Sequence, residues 1–237
     1  MGKIDMSEPD LDKIQEIGLL KKLSESELIT LSRDCSWKRY AANEQIIDRQ
    51  SETNDVFFII EGKVRVVNYS LSGRVITLDD IVAGGHFGEL AAIDEKPRSA
   101  SVMALMPCFL AVISQGCFID LVKNHSSVAL TVMRDLSAVI RKATERIMDL
   151  STLAANNRVQ ADLLQLASAN ITENGHAIIS PIPVHSDVAS RVSTTRETVA
   201  RVMGNLARQG VVERQRDKLV INDVAQLREM VEVVRGE

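Results

Sequence analysis

The stretch from His86 to Ala100, HFGELAAIDEKPRSA, holds the side chains of this chain best suited to meeting a small charged ligand. Gly88 and Glu89 stand about ten residues before Arg98 and Ser99, and Pro97 stiffens the approach to the arginine. Gly85 and Gly88 let the backbone come close to a ligand, and the chain is then expected to turn into a short helix whose free N–H groups favour an anion. Arg98 offers a planar, charge-assisted fork and Ser99 a hydroxyl donor, which suits a phosphate. Glu89 is left to accept from a hydroxyl elsewhere on the same ligand. As a bare surface ion pair, Glu89 and Arg98 would be worth about 1 kcal/mol or less, and would need neither the glycines nor the proline.

The second stretch with chemistry is Ser193 to Glu213, STTRETVARVMGNLARQGVVE. Ser186 is expected to cap a short helix with Val188, Ala189 and Val192 inward. STT then makes a turn, and Thr194 or Thr195 caps a second helix that buries Val199, Val202, Met203 and Leu206. Arg196, Glu197 and Arg201 are left on its outer face, where arginine can fork onto guanine and glutamate can accept from a cytosine amino group. Between Val184 and Arg216 six arginines stand against Asp187, Glu197 and Glu213, a local basic excess. Arg214 and Arg216 belong to the hairpin-like VVERQRDKLVI that follows, and suit phosphate contacts.

These two stretches need positioning elements. The runs EQIID, VFFII, KVRVVNYS, RVITLDD, SASVMAL and FLAVIS, broken by turn residues about every ten positions, predict an antiparallel β-roll over about Trp37 to Ile113. Ahead of it, Ser24 and Glu27 make a capping-box pattern before Leu28 and Leu31. From Ser126 no glycine or proline interrupts the chain until Gly175. Met133, Leu136, Ile140, Ala143, Ile147, Leu150 and Ala154 recur at three- and four-residue steps, the seam of a parallel helix pair and so of a homodimer. A helix over about Arg158 to Ala169 follows the LAANN segment, which reads as a hinge. A last amphipathic helix from Asp223 puts Leu227, Met230, Val231 and Val234 on one face.

Taken together, FGEL and PRSA, the long seamed helix and STTRETVARVMGNLARQGVVE resemble the CRP/FNR family of bacterial transcription regulators over nearly the whole chain. The resemblance implies an α+β chain in three parts: a jelly-roll-like cyclic-nucleotide-binding β-roll with flanking helices over residues 1–125, a dimerisation helix over 126–155, and a winged helix-turn-helix over 156–237. It implies that Gly88, Glu89, Leu90, Arg98, Ser99 and Ala100 form a phosphate-binding cassette that holds a cyclic nucleotide. Arg98 then meets the cyclic phosphate and Glu89 the ribose 2′-hydroxyl. On the long helix, where the family's cyclic AMP responders carry two adjacent hydroxyl residues against the purine, Ala143 and Thr144 stand. The resemblance implies cyclic AMP, but here only Thr144 keeps a hydroxyl, so cyclic GMP stays open. Thr195, Arg196, Glu197, Thr198, Arg201, Arg214 and Arg216 are implied as DNA contacts on a palindromic TGTGA-like site, with RNA polymerase as a further partner.

Composition agrees with a regulator and limits the alternatives. The 237 residues are 45% hydrophobic but only 3% aromatic, so the cores must be aliphatic, and a net charge of −4 argues against coating nucleic acid wholesale. Cys35, Cys108 and Cys117 are scattered without ligand spacing and read as small hydrophobes, so neither zinc nor another metal is expected. No positioned His or Cys suggests haem, and His86 reads as a loop residue. Without an apolar run long enough for a signal peptide or membrane span, a cytoplasmic protein is expected. An enzyme would need a nucleophile–base set or a carboxylate partner for Glu89, and neither is present. A pure nucleotide sensor would need a second cassette, an inhibitor segment or a span. The alternative left standing is a DNA-binding regulator of this family that is ligand-independent or senses another ligand.

Overall fold

Every residue from Val56 to Ile60 is buried, where a strand with one wet face would alternate. In the computed structural model, which describes residues 11–235, both faces of that strand are covered. Two short helices, α1 (Leu11–Gln15) and α2 (Glu25–Asp34), lead into β1 (Ser36–Tyr40), β2 (Gln45–Ile47), β3 (Val56–Glu61), β4 (Lys63–Tyr69), β5 (Val75–Val82) and β6 (His86–Phe87). Helix α3 (Glu89–Asp94), β7 (Ser101–Ala104), β8 (Cys108–Ile113), α4 (Gln115–Asn124) and the long α5 (Ser126–Thr152) complete this part. Two antiparallel sheets, ordered β1-β8-β3-β6 and β2-β7-β4-β5, form the roll. Phe57 and Ile59 join its interior with Val64, Phe87, Leu110 and Val112. Val56, Phe58 and Ile60 face the other way, into a cluster with Ile17 and Leu20 of the turns between α1 and α2, Phe118 of α4 and Val128 of α5.

Local signals account for several of these boundaries. Ser24 gives both its N–H and its hydroxyl to Glu27 Oε2 at 2.7 Å, so the expected capping-box pair does start α2. Ser114 likewise caps α4, accepting from the Cys117 N–H. Strands β1 and β6 were not among the expected runs. SWKRY is an edge strand with little burial and no apolar alternation, and β6 is two residues long. His86 is therefore not in a loop: it pairs with Phe58 in the β3–β6 ladder.

The long helix ends sooner than its apolar seam. Thr152 is the last residue of α5, and Ala154 stands outside it in extended backbone, as the N-cap of α6 (Ala155–Ala167). Helix α6 thus begins three residues before the expected Arg158, and of the LAANN segment only Leu153 and Ala154 lie between the two helices. A 3-10 turn (Ser168–Asn170), β9 (Ala177–Ile179), α7 (His185–Arg191), α8 (Arg196–Arg208), β10 (Val212–Gln215), β11 (Lys218–Ile221) and α9 (Val224–Arg235) follow. Val184 precedes α7 as its N-cap, so Ser186 lies in the first turn rather than capping it. The sheet of the wing, ordered β10-β11-β9, takes its third strand from the segment just ahead of Pro181 and Pro183. Val159, Leu163, Val188, Val199, Leu206, Leu219 and Leu227 share one core. The Val234 side chain and the expected domain limits at residues 1 and 237 lie outside the described residues.

The chain divides into two compact units. One holds the chain up to Tyr69 and Thr77–Val139, the other Ser70–Ile76 and the chain from Ile140 on, so the division falls within α5.

Candidate functional site

The cassette is built on a turn that only glycine makes cheaply. Gly88, the N-cap of α3, has φ +92°, and a Cβ there would stand 2.8 Å from the Asp55 carbonyl and 2.9 Å from Arg98 Nη1. Gly85 has a reason within the protein itself: a Cβ there would overlap the Ile81 side chain of β5.

Arg98 is 4% exposed. Its Nη1 donates to the Gly88 carbonyl at 2.9 Å, Nη2 to the Asp55 carbonyl at 2.8 Å and Nε to Thr53 Oγ1 at 3.2 Å. The guanidinium lies 5.9 Å from the Phe57 ring centroid, and Phe57 stacks on Phe87 at 4.9 Å. Burial pulls the guanidinium below its usual pKa, while the charges of Asp55 and Glu89 oppose the shift. The arginine is thus a buried cation held by neutral acceptors, at the start of α3 and beside half-buried Glu89. Ser99 and Leu90 are exposed and Ala100 is buried, and the Ser99 carbonyl accepts from Asn68 Nδ2 at 3.3 Å. Thr53, Asp55 and Asn68 were not singled out in the sequence. The only signal for the first two is a polar SETND turn immediately before a strand buried on both faces.

On α5, Met133, Ile140, Ile147 and Leu150 are between 42% and 66% exposed, and Ala143 and Thr144 are exposed with them. The Thr144 hydroxyl donates back to the Ile140 carbonyl at 3.0 Å.

In the second unit Thr195 is the N-cap of α8 and its Oγ1 accepts from the Thr198 N–H at 3.2 Å. Val199, Val202 and Leu206 are buried and Met203 partly so, which turns Arg196, Glu197 and Arg201 outward. The Glu197 carboxyl is held below its usual range by its own backbone N–H and by the Thr195 hydroxyl, and stays an acceptor. Arg201 Nη2 approaches Asn156 Oδ1 at 3.4 Å. Arg214 on β10 and Arg216, at φ +45° in the β10–β11 turn, are exposed. Arg191 leaves the expected basic surface, because it is paired with Asp162.

The cysteines are free, and burial pushes the Cys35 thiol up to about 12. Among the described residues no group of three or more His, Cys, Asp or Glu is placed to hold a metal ion, and no helix is long and apolar enough to cross a membrane.

Two family models match the chain: a cyclic nucleotide-binding domain over residues 37–125 and a Crp-like helix-turn-helix domain over residues 157–230. The Cyclic AMP receptor protein of Thermus thermophilus is 31% identical over 74% of this chain and 78% of its own. Vfr of Pseudomonas aeruginosa, a cAMP-activated global transcriptional regulator, is 29% identical over 79% of this chain and 89% of its own. The fold matches that of a CooA mutant from Carboxydothermus hydrogenoformans with a TM-score of 0.78, at 20% identity over 95% of this chain and 97% of that one. With a nucleotide-binding roll, a long helix and a Crp-like helix-turn-helix in that order, the chain belongs to the CRP/FNR family of DNA-binding transcription regulators.

Proposed function

We propose that this chain is a homodimeric regulator that binds a palindromic, TGTGA-like DNA site in response to a cyclic nucleotide, and that the nucleotide is cyclic AMP. The buried Arg98 carries the proposal, since a desolvated guanidinium whose present acceptors are neutral gains from an anionic oxygen in their place. Glu89 accepts from the ribose, and Gly88, Leu90, Ser99 and Ala100 line the same turn. With its proton given to Ile140, Thr144 offers a lone pair, which matches the exocyclic amine of adenine and not the O6 of guanine. The exposed apolar line on α5 supports a second copy as partner. Arg196, Glu197 and Arg201 read bases, while Thr195, Thr198, Arg214 and Arg216 serve the backbone and the cap.

A ligand-independent regulator is the second reading, favoured by one observation: every Arg98 nitrogen already has an acceptor. Calorimetry of the full chain with cyclic AMP and cyclic GMP separates the two. Saturable heat with cyclic AMP, and a several-fold fall in its advantage over cyclic GMP in Thr144→Ala, supports the first reading. No heat with either nucleotide leaves the second.

A further inference from the structure

A helix that stops leaves its last carbonyls without intrahelical partners. Two helices stop close together in the second unit. The long α5 ends at Thr152, just before Leu153, and α7 ends at Arg191, followed by its C-cap Val192 and by Ser193. A single side chain serves both ends. Arg158, in the first turn of α6, donates Nη1 to the Leu153 carbonyl at 2.8 Å, Nε to the Val192 carbonyl at 2.9 Å and Nη2 to the Ser193 carbonyl at 3.3 Å. Its own N–H closes the first bond of α6 onto the Ala154 carbonyl at 3.1 Å. A cation at a helix C-terminus is favourable electrostatically as well as through its hydrogen bonds, and here one fork meets two such ends.

We infer that Arg158 is a positioning residue that clamps the end of the long helix to the turn of the helix-turn-helix. A change in the direction of the last turns of α5 then reaches the N-terminus of α8 through this side chain. The same first turn of α6 carries Asn156, which Arg201 approaches, so it touches both the turn and an arginine of the outer α8 face. The inference rests on α8 being the DNA-reading helix, and its ligand-coupling part rests on the proposed response to a cyclic nucleotide. Lysine cannot replace this function, because a point charge on a single nitrogen does not span three carbonyls.

The test uses the full-length protein and two variants, Arg158→Met and Arg158→Lys. Hydrogen exchange without nucleotide or DNA is followed at the amides of Leu153 and Thr194, which bond the Asp149 and Ala189 carbonyls. Both should exchange faster together, by about tenfold in Arg158→Met and less in Arg158→Lys, while amides in the middle of α8 keep their protection. Should either amide keep its wild-type rate in a folded variant, or should exchange rise evenly through the whole second unit in Arg158→Lys, the clamp is overturned and Arg158 merely supports the fold. In a second arm, the factor by which saturating cyclic AMP raises DNA affinity should fall at least about fivefold in Arg158→Lys. An unchanged factor also overturns the inference. If the wild type shows no such factor, the proposed nucleotide response has failed, and the exchange arm alone decides the clamp.

Discussion

Arg191 and Asp162 close a two-bonded ion pair between α7 and α6, with Nε to Oδ1 at 2.7 Å and Nη2 to Oδ2 at 2.8 Å. The carboxylate is buried and the arginine partly so. Removing one partner of a buried pair leaves an uncompensated charge, so Asp162→Ala should destabilise the second unit by about 3 kcal/mol. Arg191→Met should also weaken the fold but leave the salt dependence of DNA binding as it is, because this arginine faces a carboxylate and not a phosphate. Urea unfolding and a salt titration of DNA affinity check the two halves; a reduced salt slope in Arg191→Met would return the residue to the DNA surface.

The Arg98 environment predicts a difference between two substitutions. Arg98→Ala removes the donors to the Gly88 and Asp55 carbonyls, and so should cost about 1–3 kcal/mol of stability as well as nucleotide binding. Arg98→Lys keeps the charge without the fork, and should retain most of the stability while weakening the nucleotide by about tenfold or more. Thermal unfolding beside calorimetry reads both. Wild-type nucleotide affinity in a folded Arg98→Lys protein would mean that the fork is not what meets the ligand.

Ser193 sits in the turn before α8 at φ +53°. The left-handed region costs a residue with a Cβ about 1–2 kcal/mol, which exceeds the roughly 0.5–1 kcal/mol of extra chain entropy that glycine brings. Ser193→Gly should therefore stabilise the second unit by about 0.5–1 kcal/mol, with DNA affinity unchanged. A lower urea midpoint in the variant would show that the serine side chain contributes more to this turn than its backbone strain costs.

Features decided by neighbours in the chain were legible in the sequence. Ser24 with Glu27, Thr195 ahead of Thr198, and the buried Val199, Val202 and Leu206 all follow from short-range spacing. Features decided by distant partners were not. Nothing local to Arg191 reveals Asp162, 29 positions away, so an internal pair was counted as surface charge. Nothing local to Gly85 reveals that the Ile81 side chain lies against it. Ala154 kept the apolar period of the seam although the helix had already ended. Thr53 and Asp55 meet Arg98 only through the roll, and Arg158 gains its meaning from two helix ends that no pattern in the sequence brings together.

The central claim is that a nucleotide held by the cassette changes how α8 reads DNA. A two-fold dimer should recognise half-sites whose centres lie about one helical turn, roughly 34 Å, apart. The direct measurement is the affinity of the wild-type protein for such a TGTGA palindrome, with and without cyclic AMP, beside Arg201→Ala. Cyclic AMP should raise the affinity at least about fivefold, and Arg201→Ala should lower it by about 1–3 kcal/mol per half-site while relaxing preference at one base pair. The same affinity with and without the nucleotide, on a site whose base preference Arg201→Ala leaves unaltered, would contradict the account.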